Sequence, residues 1–409
     1  MLARLRPTLD FMPSPIDDKP GLLIRDPFQF SEATLIIPPA LIEFLEFYDG
    51  NRSALDLRAE LVRVSGDVQA GQIEEQLTGA LSHAGFLEDE HFNGLRAKAE
   101  HAFAEAPVRF AAHAGSGYPD QRGELTHTIS GYLSGGEKAA EAPAAEVSAE
   151  KVLAIAAPHV SPFGGIDAYR AGYSALGPAD AERTFVVLGT SHYGHPDRIG
   201  LTRKPFETPL GSALTDASLV EKLAAETGDA AQMEDYCHAI EHSIEFQVVF
   251  LQHLYGPNIR IVPILCGTYM SLYQGGLPEE TDAAQRIFGA LGEMAAREGD
   301  RLLWVLGVDM AHMGRRYGDR MTAQAGRNEM QAVEQQDRAR IARMEAGDAR
   351  GFWELVRENG DDLKWCGSSP IYTFLKAVPG ARGKLRHYQQ WNIDPESVVS
   401  FAGMSFHSR

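Results

Sequence analysis

The chain has 409 residues, 44% of them hydrophobic and 23% charged, with a formal net charge of −18. That length exceeds one ordinary domain and predicts two, with ample apolar material for a large core. The acidic balance argues against a nucleic-acid backbone or an anionic membrane as main partner, because both need clustered Lys and Arg.

No apolar run reaches the roughly 18 residues of a membrane-spanning helix, so none is expected. The start, Met1 to Pro7, is not followed by an apolar stretch, so no signal peptide is expected either. Three cysteines, Cys237, Cys266 and Cys366, suit a reducing compartment, where a thiol is a buried hydrophobe, a ligand or a nucleophile. The expected location is cytoplasmic.

Residues 1–92 read as a small, mainly helical module of winged-helix-like shape. After a Pro-rich start, Ala40–Tyr48 has helical spacing and ends at the turn signal Asp49-Gly50. Ala54–Val64 and Ile73–Ala84 are two further amphipathic candidates, and Gly85-Phe86-Leu87 reads as a cap running into an edge strand. Through residue 90 there are 7 Lys and Arg against 16 Asp and Glu. This acidity opposes DNA binding and favours a peptide or protein partner. Residues 93–107 read as a linker helix.

Residues 108–409 form the larger unit, interrupted at 134–150 by an Ala-, Glu- and Gly-rich stretch expected to be a flexible connector. From residue 151 strand and helix patterns alternate. Val152–Ala157, Thr184–Gly189, Ile259–Leu265 and Arg301–Val308 read as buried strands. Leu214–Thr227, Glu241–Tyr255, Thr281–Glu298, the charged Arg320–Gly347 and Gly351–Asn359 read as helices. Leu385–Trp391 and Ser397–Phe406 read as closing strands. Such alternation predicts an α/β fold: a doubly wound, mostly parallel sheet flanked by helices.

Three of these strands deliver chemistry at their carboxyl ends, where ligands bind to such sheets. The first runs into Pro158-His159, the second into Thr190-Ser191-His192, and the third into Asp309 and then His312. Imidazole is the commonest protein metal ligand, so a shared metal centre is the natural reading of the two strand-end histidines. His195 in the same loop competes with His192, and either histidine alone could be a helix cap or a satisfied core group. Asp309 and His312 are spaced i, i+3, which on a helical turn places both on one side; Asp309 could instead be an N-cap. His242, in Glu241-His242-Ser243, sits at a strand-to-helix junction and is a candidate substrate ligand or proton shuttle. Cys366 precedes a helix, a position that lowers a thiol's pKa and makes the thiolate available as ligand or nucleophile. Cys266 ends an apolar strand and reads as a core hydrophobe.

The stretch His113-Ala114-Gly115-Ser116-Gly117-Tyr118 resembles the Memo family, as do Pro158-His159, Ser191-His192, Glu241-His242-Ser243, Asp309-Met310-Ala311-His312 and Cys366-Gly367. In bacteria this family is also called AmmeMemoRadiSam system protein B. Order and spacing agree from about residue 108 to the C-terminus. The family is similar in fold to the LigB-like class III extradiol dioxygenases, which hold non-haem iron. The resemblance implies His159, His192 and Cys366 as metal ligands, with Asp309 and His312 beside them, and non-haem iron or copper as the metal. Val160-Ser161-Pro162-Phe163 stands where the family usually has Ala-Gly-Tyr, and Ser368-Ser369 replaces a common Arg-His pair. Pocket shape and outer hydrogen bonds are therefore expected to differ. The N-terminal module resembles the small peptide-binding winged helix of the pyrroloquinoline-quinone pathway chaperone, through Tyr48-Asp49-Gly50 and Ala84-Gly85-Phe86-Leu87.

The expectation is thus a metal-dependent redox enzyme related to the dioxygenases. His312 would be the acid/base, Asp309 would orient it or a ligand, and His242 would assist. A small molecule or peptide is the expected substrate, and a radical-SAM protein is a candidate partner through the N-terminal module. Two alternatives stand beside it: a zinc-dependent hydrolase with Asp309 or His312 as base, and a non-catalytic, metal-holding interaction protein.

Overall fold

A computed structural model describes residues 1–14, 16, 18–66, 70–135 and 151–408. The chain divides into two compact units, Met1–Ala106 and Pro107–Arg409. Of the connector expected at 134–150, only Ser134 and Gly135 are described, as the last residue of a helix and its left-handed cap; the rest lies outside the described residues.

The first unit begins with a three-stranded antiparallel sheet, β1 (Asp10–Pro13), β2 (Leu22–Arg25) and β3 (Thr34–Ile37). These strands occupy the start that the sequence marks only as Pro-rich; each spans four residues, too short to show a two-residue period. Pro39–Phe47 is a 3-10 helix, followed by α1 (Ala54–Ser65), α2 (Ala70–His83) and α3 (Glu90–Glu105). Ser53 and Asp56 form a reciprocal capping box at the start of α1. The expected edge strand at Gly85-Phe86-Leu87 is a single bridge between Leu87 and Leu5. The expected linker segment falls mostly within α3, which belongs to the first unit: Arg6 lies 4.0 Å over the Phe92 ring and makes a buried bidentate pair with Asp26.

The second unit opens with α4 (Arg122–Ser134) and then winds β4 (Val152–Ala157), α5 (Ile166–Tyr173), β5 (Thr184–Thr190), β6 (Ile199–Leu201), β7 (Phe206–Thr208), β8 (Gly211–Thr215) and α6 (Ala217–Thr227). There follow β9 (Ala231–Met233), the single turn α7 (Cys237–Ile240), α8 (Glu245–Tyr255), β10 (Arg260–Cys266) and α9 (Ser271–Gln274). The remainder is α10 (Asp282–Glu298), β11 (Leu302–Gly307), β12 (His312–Gly314), α11 (Glu329–Glu345), α12 (Ala349–Val356), α13 (Ser368–Ala377), β13 (Ala381–Asp394) and β14 (Ser397–Ser408).

The central strands β4-β11-β5-β10 are parallel, and β6 and β14 continue the sheet antiparallel on its two sides. Residues alternate between two cores. Ala154, Val186, Leu188, Val262, Trp304 and Leu306 pack into the larger one, while Ile155, Phe185, Val187, Ile261, Leu303 and Val305 face the other. Burial on both faces is why these strands read as continuous apolar runs.

Several expected boundaries move. Leu214 lies within β8, which ends at Thr215, and α6 begins at Ala217 behind the Asp216 cap. The expected helix Arg320–Gly347 starts only at Glu329, because Asn328 takes a positive φ of 48° and breaks the chain direction. Asp309 and His312 do not share a helical turn: His312 opens β12, paired with Val399.

Candidate metal centre

β4, β5 and β11 end in register, with Gly307 paired to Ala157 on one side and Gly189 on the other. His159, His192 and Asp309 therefore emerge side by side at the carboxyl edge. The segment Glu241–Ser243 crosses directly above these strand ends. A Cβ on Gly189 would come within 2.4 Å of Ser243 Oγ, and one on Gly307 within 2.1 Å of Ser243 O. Glycine at both strand ends is what lets this segment bring in His242 and Glu241. Ser243 Oγ then fastens the crossing by donating to Thr190 O at 2.8 Å.

The crossing segment is held from behind by Arg109. Its guanidinium donates to His238 O and Glu241 O, each at 2.7 Å, and pairs with Glu245. Glu245 also accepts from Ala112 N, His113 N and the Tyr118 hydroxyl, and His113 Nε2 donates to Ile240 O at 2.9 Å. Both charges of the Arg109–Glu245 pair are fully buried and amply hydrogen-bonded, as a buried pair requires. The His113–Tyr118 motif is thus the support of His242.

Three imidazoles converge at this edge. Ligand atoms of His159, His192 and His242 all lie within 4.8 Å of one another. The rings of His192 and His242 stack at 5.0 Å, and His159 stands nearly perpendicular to both. The side chain of His159 is 2% exposed, against 27% and 28% for His192 and His242, so the cluster is closed below and open to solvent above.

Each of the two strand-end histidines has one nitrogen already committed. His159 Nδ1 donates to Gly307 O at 2.9 Å, and His192 Nδ1 lies 3.0 Å from Glu241 Oε2. Carbonyl and carboxylate partners of this kind fix the tautomer and present Nε2, the arrangement found behind metal-binding imidazoles. Cys366 Sγ lies 3.3 Å from His159 Nε2. Thr190 Oγ1 donates to Cys366 O at 3.1 Å, and Gly367 N to Asp309 O at 3.1 Å, which holds the thiol loop against the other strand ends. Asp309 accepts from His159 N at 2.9 Å and keeps its other oxygen 3.6 Å from His159 Nε2.

Charge is strongly coupled here. Burial would push the Cys366 thiol up, but His159 and His312 outweigh it and bring it down to about 5. Burial likewise opposes charge on His159, yet Asp309 and Cys366 lift it to about 9. Glu241 stays ionised because His192 overcomes the cost of burying its carboxylate. His242 is driven well down by burial and by its positive neighbours His192 and His159, which leaves a neutral imidazole.

His312 reaches the same edge from β12. Its Nδ1 donates to Met310 O and Lys364 O at 2.9 and 3.1 Å, and its ring packs edge-on against Tyr317. His195 is exposed and takes no part in the three-histidine cluster. Cys266 is fully buried in the larger core, and burial raises its thiol to about 12. Cys237 is also buried and its thiol is pushed up. Glu241 is the participant that the sequence marks only as the residue before His242. No spacing links it to His192, which lies 49 residues away.

A doubly wound α/β domain with three histidines and a cysteine gathered at its strand ends defines a candidate metal-binding protein. The chain belongs to the Memo family: residues 109–405 match the Memo-like protein description. A MEMO1 family protein of Aquifex aeolicus is 26% identical over 398 residues, covering 96% of this chain and 97% of the relative. A MEMO1 family protein of Thermococcus kodakarensis is 29% identical and covers 99% of its own length but 73% of this chain. A solved structure of an uncharacterized Escherichia coli K12 protein aligns with a TM-score of 0.40 at 12% identity, over 62% of this chain and 99% of that one. Among the described residues no helix is long and apolar enough to cross a membrane.

Proposed function

We propose that the chain is a metal-dependent redox enzyme whose ion is held by His159, His192 and Cys366. The observation that carries this reading is the Cys366 thiol placed 3.3 Å from His159 Nε2, beside two imidazoles whose other nitrogens are already hydrogen-bonded. The donor set fits a metal: two imidazoles that present Nε2, a thiol that ionises easily, and a site open on one side, so that binding an ion would release the protons the imidazoles hold. Two imidazoles and a thiolate suit non-haem iron or copper, which would supply electron transfer and open coordination positions.

The chain's own groups supply the remainder. Asp309 orients the loop of His159 through its backbone N–H and places negative charge beside the ring. With Nδ1 committed to two carbonyls, His312 keeps Nε2 as the basic nitrogen, suited to take a proton from a bound small molecule or peptide. His242, neutral and half-exposed on the solvent side, is placed to contact that molecule. The acidic N-terminal unit is the candidate dock for a partner, a radical-SAM protein among them. The Aquifex aeolicus relative aligns across nearly the whole of this chain, so its match includes that unit.

One observation favours a second reading. The ligand atoms of His159, His192 and His242 alone form a compact triad, a donor set suited to zinc and to hydrolysis by a metal-bound water.

Elemental analysis of anaerobically purified wild type, His159→Ala, Cys366→Ser and His242→Ala separates these readings. Iron or copper near one per chain, lost in His159→Ala and Cys366→Ser but kept in His242→Ala, supports the redox site. Zinc lost in His242→Ala and kept in Cys366→Ser supports the hydrolase. No metal in any preparation leaves a non-catalytic interaction protein.

A further inference from the structure

We propose that Asp337, a buried carboxylate on α11 outside the donor set, is a positioning residue that sets the placement of Cys366 and of the Asp309–His312 loop together. This rests on the reading of Cys366 as a ligand.

Asp337 is completely buried, although it sits in a helix rich in Gln, Glu and Arg. A carboxylate is costly to bury unless donors surround it, and here three donors converge from three separate segments. Trp365 Nε1 donates to Oδ1 at 2.7 Å. The Tyr388 hydroxyl, from β13, donates to Oδ2 at 2.7 Å, and the Ser400 hydroxyl, from β14, donates to the same oxygen at 2.6 Å.

Two of these donors lead directly to the metal centre. Trp365 is the residue before Cys366. Its indole is anchored by Asp337 and its backbone N–H by Asp361 Oδ1 at 3.0 Å, so both ends of the residue are tied. Its ring packs on Phe352 and is 1% exposed. The thiol that follows inherits that placement.

Ser400 leads to the other loop. A hydroxyl has one proton, and Asp337 takes it, so the Ser400 oxygen is turned to accept from Ala311 N at 2.9 Å. The Ser400 backbone completes the clasp: its N–H donates to Ala311 O at 2.9 Å and its carbonyl accepts from Met310 N at 2.8 Å. Ala311 and Met310 lie between Asp309 and His312. One carboxylate therefore holds the thiol loop and the Asp309–His312 loop in a common frame.

The experiment uses the full chain, stripped of metal and titrated with cobalt(II) as probe. Two signals are read: cobalt affinity with its thiolate-to-cobalt charge-transfer band, and the rate of Cys366 alkylation by iodoacetamide in the metal-free protein. Asp337→Asn and Trp365→Phe should each weaken cobalt binding by about tenfold or more, the usual effect of losing an outer hydrogen bond to a metal site. Both should change the alkylation rate at Cys366, and the double variant should be no worse than the more severe single one, because Asp337→Asn already disturbs the bond that Trp365→Phe removes, along with those to Tyr388 and Ser400. Should Asp337→Asn fail to fold, Trp365→Phe and Ser400→Ala carry the test. Variants that lose thermal stability yet bind cobalt and react at Cys366 like wild type would overturn the proposal and leave Asp337 as core support. Cobalt binding without a thiolate band in wild type would instead defeat Cys366 as a ligand, while the alkylation rates still decide for or against Asp337.

Discussion

Cys366 Sγ lies 3.3 Å from His159 Nε2, and the opposite nitrogen of that ring is held by the Gly307 carbonyl at 2.9 Å. Without metal this is a thiolate–imidazolium pair, with the thiol brought down to about 5 and the imidazole raised to about 9. Alkylation of Cys366 in the metal-free protein should therefore proceed at pH 6 at nearly its pH 8 rate. An ordinary thiol would slow by roughly a hundredfold over that interval. Peptide mapping locates the adduct, since Cys237 and Cys266 are buried; a hundredfold fall at Cys366 would refute the pairing.

Glu241 accepts hydrogen bonds from both the backbone and the ring of His192 and is 2% exposed. Glu241→Gln keeps the shape but removes the charge that holds the ring. Metal affinity should fall by about 10- to 100-fold, measured by competition with a chromophoric chelator. An unchanged affinity would show that Glu241 does not orient a ligand.

Gly307→Ala places a methyl 2.1 Å from Ser243 O, a backbone atom that is itself anchored within the crossing segment. Stability should drop by about 1–3 kcal/mol, the range of overpacked cores, and metal content should fall with it as His242 and Glu241 are displaced. Gly289→Ala is the control: within α10 nothing lies within 4 Å of its added Cβ. It should instead be neutral or stabilising by about 0.5–1 kcal/mol. Urea unfolding reads both, and a tolerated Gly307→Ala would contradict the close approach.

Burial lifts Asp361 to about 6, above its unfolded value near 4. The folded state therefore binds this proton more tightly, so the contribution of Asp361 to stability is most favourable below pH 4 and is lost as pH rises through 6. Asp361→Asn retains the oxygen that accepts from Trp365 N and suits the left-handed backbone at φ 58°. It should stabilise the metal-free protein at pH 8 by about 1–3 kcal/mol, with the gain fading by pH 4. A gain of equal size at both pH values would mean that the backbone, and not the charge, is responsible.

Strands buried on both faces leave unbroken apolar runs, which is why β4, β5, β10 and β11 could be read from the residues alone. Their carboxyl ends carry His159, His192 and Asp309, so the edge on which the site stands was legible with them. The local pattern also located the helices with strong caps, such as α10 behind Thr281. It misplaced the start of α11, where one positive-φ asparagine outweighs a charged, helix-favouring composition, and it missed the strands β1–β3.

Which groups touch which was decided only by the tertiary structure. That Glu241 answers His192, that Arg109 supports the segment carrying His242, and that Asp337 ties Trp365 to Ser400 are pairings across 49, 132 and 63 residues or fewer. No periodicity spans such separations, because hydrogen-bond partners are chosen by the register of the folded sheet and not by spacing along the chain. The sequence alone determined the chemistry available at the strand ends; the fold determined which nitrogen, sulfur and oxygen atoms face one another there.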